Sequence, residues 1–367
     1  MHFSQAQLAR KLGISQRTVS SALNGSGRVG APLRKRVLEA ATEHGYRPNR
    51  LAAGLRGART RSLGIVWAFA DPWAGDSGIA LDITRQFQQR GFAVYQALHD
   101  ADVTILGRRI DDLLDRRVDA LVVQATPAQL AHPDIVRRLK AASAAVTVSR
   151  EVVPHLPADQ VIHDRNAAIR EVVDHLAACG RRKPCMVLAM CEESNPPKYR
   201  AFADRWAEHG VRETNRMLVD LTLAGPSVSQ GISAHPKFEE HGMRHRIAFA
   251  EKFPHAVPVD SVFCFNDTGA LYVMRELHDR GIRVPEDVAV VGLNNDQAGA
   301  VWYPPLATGD RRPRDVSEAV VALLKRRAED AAAPFDVVTV PMRFIWRESA
   351  GPAGDPTQPA LTPHQPQ

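Results

Sequence analysis

Gln16, Arg17, Thr18, Ser20 and Ser21 stand close together in the chain and would share the first turns of any helix that starts there. All five hydrogen-bond through side chains able to approach the donor and acceptor edges of bases in a major groove. Their surroundings favour a polyanion. From Met1 to Arg61 there are 12 basic residues, and only Glu39 and Glu43 are acidic, so this stretch carries +10. The remainder carries −4, a split hidden in the overall +6. A small basic head joined to a mildly acidic body is the asymmetry of a nucleic-acid-binding module on a second domain. Other chemistry is thinly represented. No glycine-rich phosphate loop follows an apolar stretch, and neither a GxSxG elbow nor an HExxH pair occurs. Cys179, Cys185, Cys191 and Cys264 lack zinc spacing and read as reduced, mostly buried thiols. His241 and His245 are four apart on an expected helix, a spacing that can bind metal; without a third ligand they read as a solvated face. No catalytic residue, metal or cofactor is expected. Glu192 and Glu193 follow an apolar strand and receive no role.

The elements that position the first group can be read from punctuation. Ser4-Gln-Ala-Gln7 is a capping box, Leu8 and Leu12 share one face of the helix it starts, and Gly13 ends that helix. Ser15 caps a second helix, Gln16 to Leu23, whose Val19, Ala22 and Leu23 face inward. A third runs from about Pro32 to His44, with Leu33, Val37, Leu38 and Ala41 inward and Tyr46 closing the small core. Two short helices joined by a glycine turn, with a third across them, make a helix-turn-helix unit.

Beyond Ser62 the pattern changes to apolar strands alternating with helices. Strands are expected at 63–69, 92–96, 120–123, 145–148, 160–162, 185–190, 217–221, 261–265 and 288–293, with helices between them. A helix near 315–325 and strands at 335–340 and 342–346 follow. The fold class is α/β, with parallel sheets covered on both faces. With 367 residues, 44% of them hydrophobic, the chain can fill two or three domains. Apolar runs such as 63–70 reach about half of the roughly 20 residues that cross a bilayer. The N-terminus has Arg10, Lys11 and Arg17 but no apolar core behind them, so neither a membrane span nor a secretory leader is expected.

Leu8-Ala-Arg-Lys-Leu-Gly-Ile-Ser-Gln-Arg-Thr-Val-Ser-Ser-Ala-Leu-Asn24, followed by Arg47-Pro-Asn49 and Leu51-Ala-Ala-Gly-Leu55, closely resembles the lactose-repressor/purine-repressor (LacI-type) family of bacterial transcription regulators. The resemblance implies that Gln16, Arg17 and Ser21 read bases. Ser21 stands where the family often has arginine and cannot make its bidentate contact with guanine. The implied DNA-contacting set is completed by Ser4, Ser15, Thr18, Ser20, Asn24, Arg28, Tyr46, Asn49, Leu55 and Arg56. Residues 49–56 would be a hinge helix that folds only when two copies meet on the operator, consistent with its shortness and Gly54. Leu55 would wedge the minor groove.

Cys264-Phe-Asn-Asp267, the stretch Gly281 to Gly292 and Tyr303-Pro-Pro-Leu306 extend the resemblance to the family's effector domain, similar to periplasmic sugar-binding proteins, over about residues 1–349. It implies two Rossmann-like lobes with a ligand between them. Asp71, Trp73, Ser149, Arg150, Lys198, Asn266, Asn294 and Trp302 are the implied effector-binding residues. Lys198 stands where the family usually has arginine, and Asn294 where it usually has aspartate. The expected organisation is a head at 1–48, hinge and linker at 49–61, an effector and dimerisation domain at 62–349 and a disordered tail at 350–367. One lobe would take 62–158 and 300–332, the other 159–299 and 333–349. The expected protein is a cytoplasmic homodimeric regulator, a repressor on the nucleoid, that binds a near-palindromic operator and a sugar-like effector. Rival readings are a purine-like effector, an exported solute-binding protein, or a Rossmann-like enzyme.

Overall fold

Local signals build the first unit. The computed structural model describes residues 4–24, 29–46, 60–68, 76–99, 102–188, 196–212, 217–220 and 238–352, in two units divided between Thr60 and Arg61. Helix α1 (Gln5–Leu12) starts at the expected capping box: the Gln7 amide donates to Ser4 Oγ, and the Ser4 amide donates to Gln7 Oε1 at 2.7 Å. Gly13 ends it with φ +67°, a left-handed turn that glycine adopts without a Cβ clash. Helix α2 (Gln16–Asn24) is capped by Ser15, whose Oγ accepts from the Thr18 amide at 3.0 Å. Helix α3 (Ala31–Glu43) has Pro32 in its first turn, where a missing N–H costs nothing. Leu8, Val19, Ala22, Val37 and Ala41 form the buried centre, with Leu12, Leu33 and Tyr46 packed around it. Leu38, expected inward, is exposed. One helical step of about 100° from Val37 carries it onto the flank of the buried face.

Among the described residues, the second unit holds two six-stranded sheets. In the first, the order is β11 (Val337–Pro341), β5 (Asp159–Asp164), β4 (Ala145–Ser149), β3 (Ala120–Gln124), β1 (Ser62–Ala68) and β2 (Ala93–His99), and every pair is parallel. Helices α4 (Asp76–Gln89), α5 (Val103–Asp115), α6 (Pro127–Leu130) and α7 (Pro133–Ala141) lie between these strands in sequence. The second sheet runs β12 (Arg343–Ile345), β10 (Ala307–Asp310), β9 (Ala289–Leu293), β8 (Ser261–Cys264), β6 (Pro184–Leu188) and β7 (Met217–Asp220). All its pairs are parallel except β10 with β12. Its sequence carries α8 (Arg165–Ala178), α9 (Pro196–Glu208), α10 (Phe238–Lys252), α11 (Asp267–Asp279) and α12 (Gln297–Val301). Helix α13 (Pro313–Glu329) returns to the first sheet and packs on α4, β4 and β5. Strands β4, β6 and β9 are buried throughout, as parallel strands covered on both faces must be.

The lobe boundaries differ from expectation. Strand β5 belongs to the first sheet, although residues from 159 onward were assigned to the second lobe. Strand β10 belongs to the second, although 300–332 were assigned to the first; β11 pairs β5, although 333–349 were assigned to the second. The crossovers therefore fall at Asp164/Arg165, between Asp310 and Pro313, and between Pro341 and Arg343. An apolar strand announces itself locally, but its sheet is decided by long-range partners. Asp159 supplies one of them: buried in β5, it pairs with the buried Arg327 of α13 at 3.0 Å. Ala350, expected to open a tail, is fully buried, and Cys179 Sγ donates to the Pro352 carbonyl.

Candidate functional site

In the head, Ser4, Ser15, Gln16 and Arg17 are exposed, while Thr18, Ser20 and Ser21 are half-buried. Helix α2 presents Gln16 and Arg17 at its N-terminal end, and its first turn has no acidic residue to compete for the free amides. The Ser15 and Thr18 hydroxyls meet at 2.8 Å, so both serve the cap. Tyr46 packs on the core, and its amide donates to the Ala41 carbonyl at 2.8 Å. Asn24 is the last residue of α2. Arg28, Asn49, Leu55 and Arg56 lie outside the described residues, as do Asp71 and Trp73 of the second unit.

The topology of the second unit defines a cleft. Each crossover joins the C-terminal end of a strand in one sheet to the same end of the other sheet: β5 leads into α8, β10 into α13, and β11 into β12, which runs antiparallel to β10. The two sets of C-terminal ends therefore face one another, and in open α/β sheets these ends hold the ligand. Ser149, Arg150, Asn266 and Asn294 sit at such ends, after β4, β8 and β9. Lys198 lies in the first turn of α9.

Their side chains are not equally available. Ser149 is buried and donates to the Glu151 carbonyl at 2.8 Å. Asn266 is the N-cap of α11, its Oδ1 accepting from the Gly269 amide at 2.6 Å while its Nδ2 lies 3.4 Å from His245 Nε2. Asn294 stands apart. It is 8% exposed with φ +127°, and both its carboxamide atoms are buried without a hydrogen-bond partner. Such a group is costly to bury unless something completes it. Trp302 is separated from this group by α12 and lies in an exposed run, between Val301 at 86% and Tyr303 at 90%. His245, read as part of a solvated face, is fully buried against Asn266 and Gly269; a Cβ on Gly269 would meet its ring at 2.2 Å.

Asp267 went unnoticed in the sequence as anything beyond a motif letter. It is fully buried at the start of α11. Burial pushes its carboxyl up to about 6, against the lowering effect of the Thr308 hydroxyl, the Asp296 amide, Arg347 and Arg311. Arg165 and Arg311 flank two crossovers, Arg311 buried and Arg165 with its guanidinium 5.7 Å from the Phe265 ring centroid. Their only sequence signal was a position beside a strand end, which becomes visible once the sheets are known. Among the described residues no cluster of three or more His, Cys, Asp and Glu side chains is arranged to hold a metal.

A helix-turn-helix head followed by a two-lobed α/β domain with a cleft at its strand ends is the architecture of a ligand-responsive DNA-binding regulator. Residues 6–49 match the model for bacterial regulatory proteins of the lacI family, and residues 173–350 match that for the periplasmic binding protein-like domain. The chain belongs to the LacI-type family of transcription regulators. The HTH-type transcriptional repressor PurR of Haemophilus influenzae is 24% identical, over 93% of this chain and 97% of its own length. The fold is similar to the lac repressor dimer bound to operator and the anti-inducer ONPF, with TM-score 0.76, 20% identity and coverage of 95% of this chain and 99% of that one. It is also similar to the transcriptional regulator CelR in its cellobiose complex, with TM-score 0.60, 23% identity and coverage of 95% and 100%. These relatives are regulators, not enzymes. Among the described residues no helix is long and apolar enough to cross a membrane.

Proposed function

We propose that the protein is a homodimeric cytoplasmic repressor whose operator affinity is set by a small hydroxylated effector, sugar-like in chemistry, held between the two lobes. The observation that carries the effector reading is Asn294, a buried carboxamide with a free donor and a free acceptor at the end of β9. Sugar hydroxyls both donate and accept, so a vicinal pair would satisfy both ends at once. The cellobiose in the CelR complex is a ligand of this chemical type.

On the DNA side, Gln16, Arg17 and Ser21 of α2 enter the major groove, and the surrounding lysines and arginines neutralise phosphates. Two heads related by a two-fold axis read a near-palindromic operator. The second copy covers exposed apolar side chains of the effector domain: Val301 and Tyr303 beside α12, Met243 and Ile247 on α10, and Leu81, Tyr95 and Leu98 around the edge strand β2. The effector acts by binding one arrangement of the lobes more tightly than the other.

A thermal-shift screen of the full chain with D-glucose, D-ribose, cellobiose and hypoxanthine tests the effector reading, since a ligand of the folded state raises the melting temperature. The expected result is a saturable rise with at least one of the three sugars that disappears in Asn294→Leu. A rise with hypoxanthine alone overturns the sugar-like class and leaves the regulator assignment standing.

A further inference from the structure

We infer that Asp267, Thr308 and Arg347 are positioning residues for the effector cleft: they pin the backbone at 294–296 and so hold the Asn294 carboxamide where a ligand is read. The inference rests on the proposed effector role of Asn294 and supplies what that role requires. A lone carboxamide selects a ligand only if its plane and position are fixed before the ligand arrives.

The segment after β9 does not hold itself. Asn294 and Asn295 follow one another at φ +127° and +58°, in a region that side-chain-bearing residues rarely enter and keep only when their surroundings enforce it. The enforcing contacts come from three other elements. The Asn294 amide donates to the Gly309 carbonyl at 2.8 Å, tying it to β10. The Asn295 amide donates to Thr308 Oγ1 at 3.1 Å, and the same hydroxyl donates to Asp267 Oδ1 at 2.6 Å. The other carboxylate oxygen of Asp267 accepts from the Asp296 amide at 2.6 Å. Arg347 closes the far side: one guanidinium nitrogen donates to Asn295 Oδ1 at 3.2 Å and the other to the Leu306 carbonyl at 2.6 Å.

Thr308 is the pivot, accepting from one backbone amide while donating to the carboxylate that holds the next. Both Thr308 and Asp267 are fully buried, so water cannot substitute for either. Glycine makes room for the arrangement, because a Cβ at Gly292 would stand 2.2 Å from Asp267 Oδ1. Every backbone amide from 294 to 296 is thus committed, whereas the Asn294 side chain alone is left uncommitted in the segment's buried face. A network serving packing alone has no need to leave that carboxamide open.

Thr308→Val keeps the buried shape but removes the hydroxyl, and Thr308→Ser keeps the hydroxyl. In the full chain, amide exchange at Asn295 and Asp296 should quicken by about tenfold or more in the valine variant and stay within about twofold of the parent in the serine variant. Among D-glucose, D-ribose, cellobiose and hypoxanthine, any probe that binds the parent should bind Thr308→Val about tenfold more weakly and Thr308→Ser nearly normally. Unchanged exchange at 295–296 in Thr308→Val overturns the inference, as does a probe held equally well by that variant and the parent. Asn294→Ala separates the two layers. If it leaves probe affinity intact, the effector role of Asn294 fails, whatever the exchange at 295–296 shows.

Discussion

The head and the effector domain both depend on polar side chains at the ends of elements, but they keep them in opposite environments. Gln16 and Arg17 project into solvent from the start of α2, and the head has few polar groups in its core. In the effector domain Asp267, Asn294, Thr308, Asp159 and Arg327 are all buried. The difference follows from what each must recognise. A phosphate backbone is large, hydrated and highly charged, so exposed cations with long reach suffice to bind it, and register comes from the rigid helix. A small ligand offers only a few groups, so the protein must strip water from its own polar atoms beforehand and hold them still. Removing an exposed side chain such as Gln16 or Arg17 from the head should therefore cost function and little stability, whereas removing a buried polar group from the effector domain should cost both.

The largest effect is expected at the buried ion pair. Asp159→Ala strands Arg327 in the interior and should cost about 3–5 kcal/mol of unfolding free energy, measured by urea denaturation. A cost below about 1 kcal/mol, typical of exposed pairs, would erase the contrast between the two regions.

Next comes Asp267. Its folded carboxyl lies above the ordinary 3.8, at about 6, so the native state holds this proton more tightly than the unfolded chain does. The group's stabilising protonation is present below about pH 4 and is lost as pH rises to about 6, a change of about 3 kcal/mol. Asp267→Asn removes this titration. The difference in stability between variant and parent should therefore shift in the variant's favour between about pH 4 and pH 6 and then level off. A difference independent of pH would show that Asp267 titrates normally.

In the head, Arg17→Ala should weaken operator binding by about 1–3 kcal/mol, read by fluorescence anisotropy, with a melting temperature unchanged within error. The smallest effect belongs to Ser4→Ala, which removes one half of the α1 capping box and should cost about 1 kcal/mol in thermal unfolding of the head.

The same contrast governs what was legible beforehand. Helices α1 and α2 follow from Ser4, Gly13 and Ser15 because caps and turns are local chemistry, and their reading face follows from helical periodicity. The alternation of strands and helices in the effector domain was equally plain. Three strands at the crossovers, β5, β10 and β11, were expected in the wrong lobe or missed, because nothing within a strand of four to six residues names its neighbour in the sheet. His245 was expected on a solvated face for the same reason: its burial depends on Asn266 and Gly269, more than twenty positions away. The Asn294 position was reached by resemblance. Its free carboxamide and the Thr308–Asp267 pair that fixes its backbone exist only once β8, β9 and β10 lie side by side.

Recognition of a two-fold-symmetric DNA sequence through α2 is the function proposed for this chain. Selection of binding sites from a random duplex library by the full-length protein tests it most directly, with the Gln16→Ala and Arg17→Ala variants run in parallel. The expected result is enrichment of a near-palindromic site for the parent, with altered base preference at matching positions in both half-sites for each variant. An enriched pool with no two-fold symmetry, or one identical for parent and both variants, would contradict it.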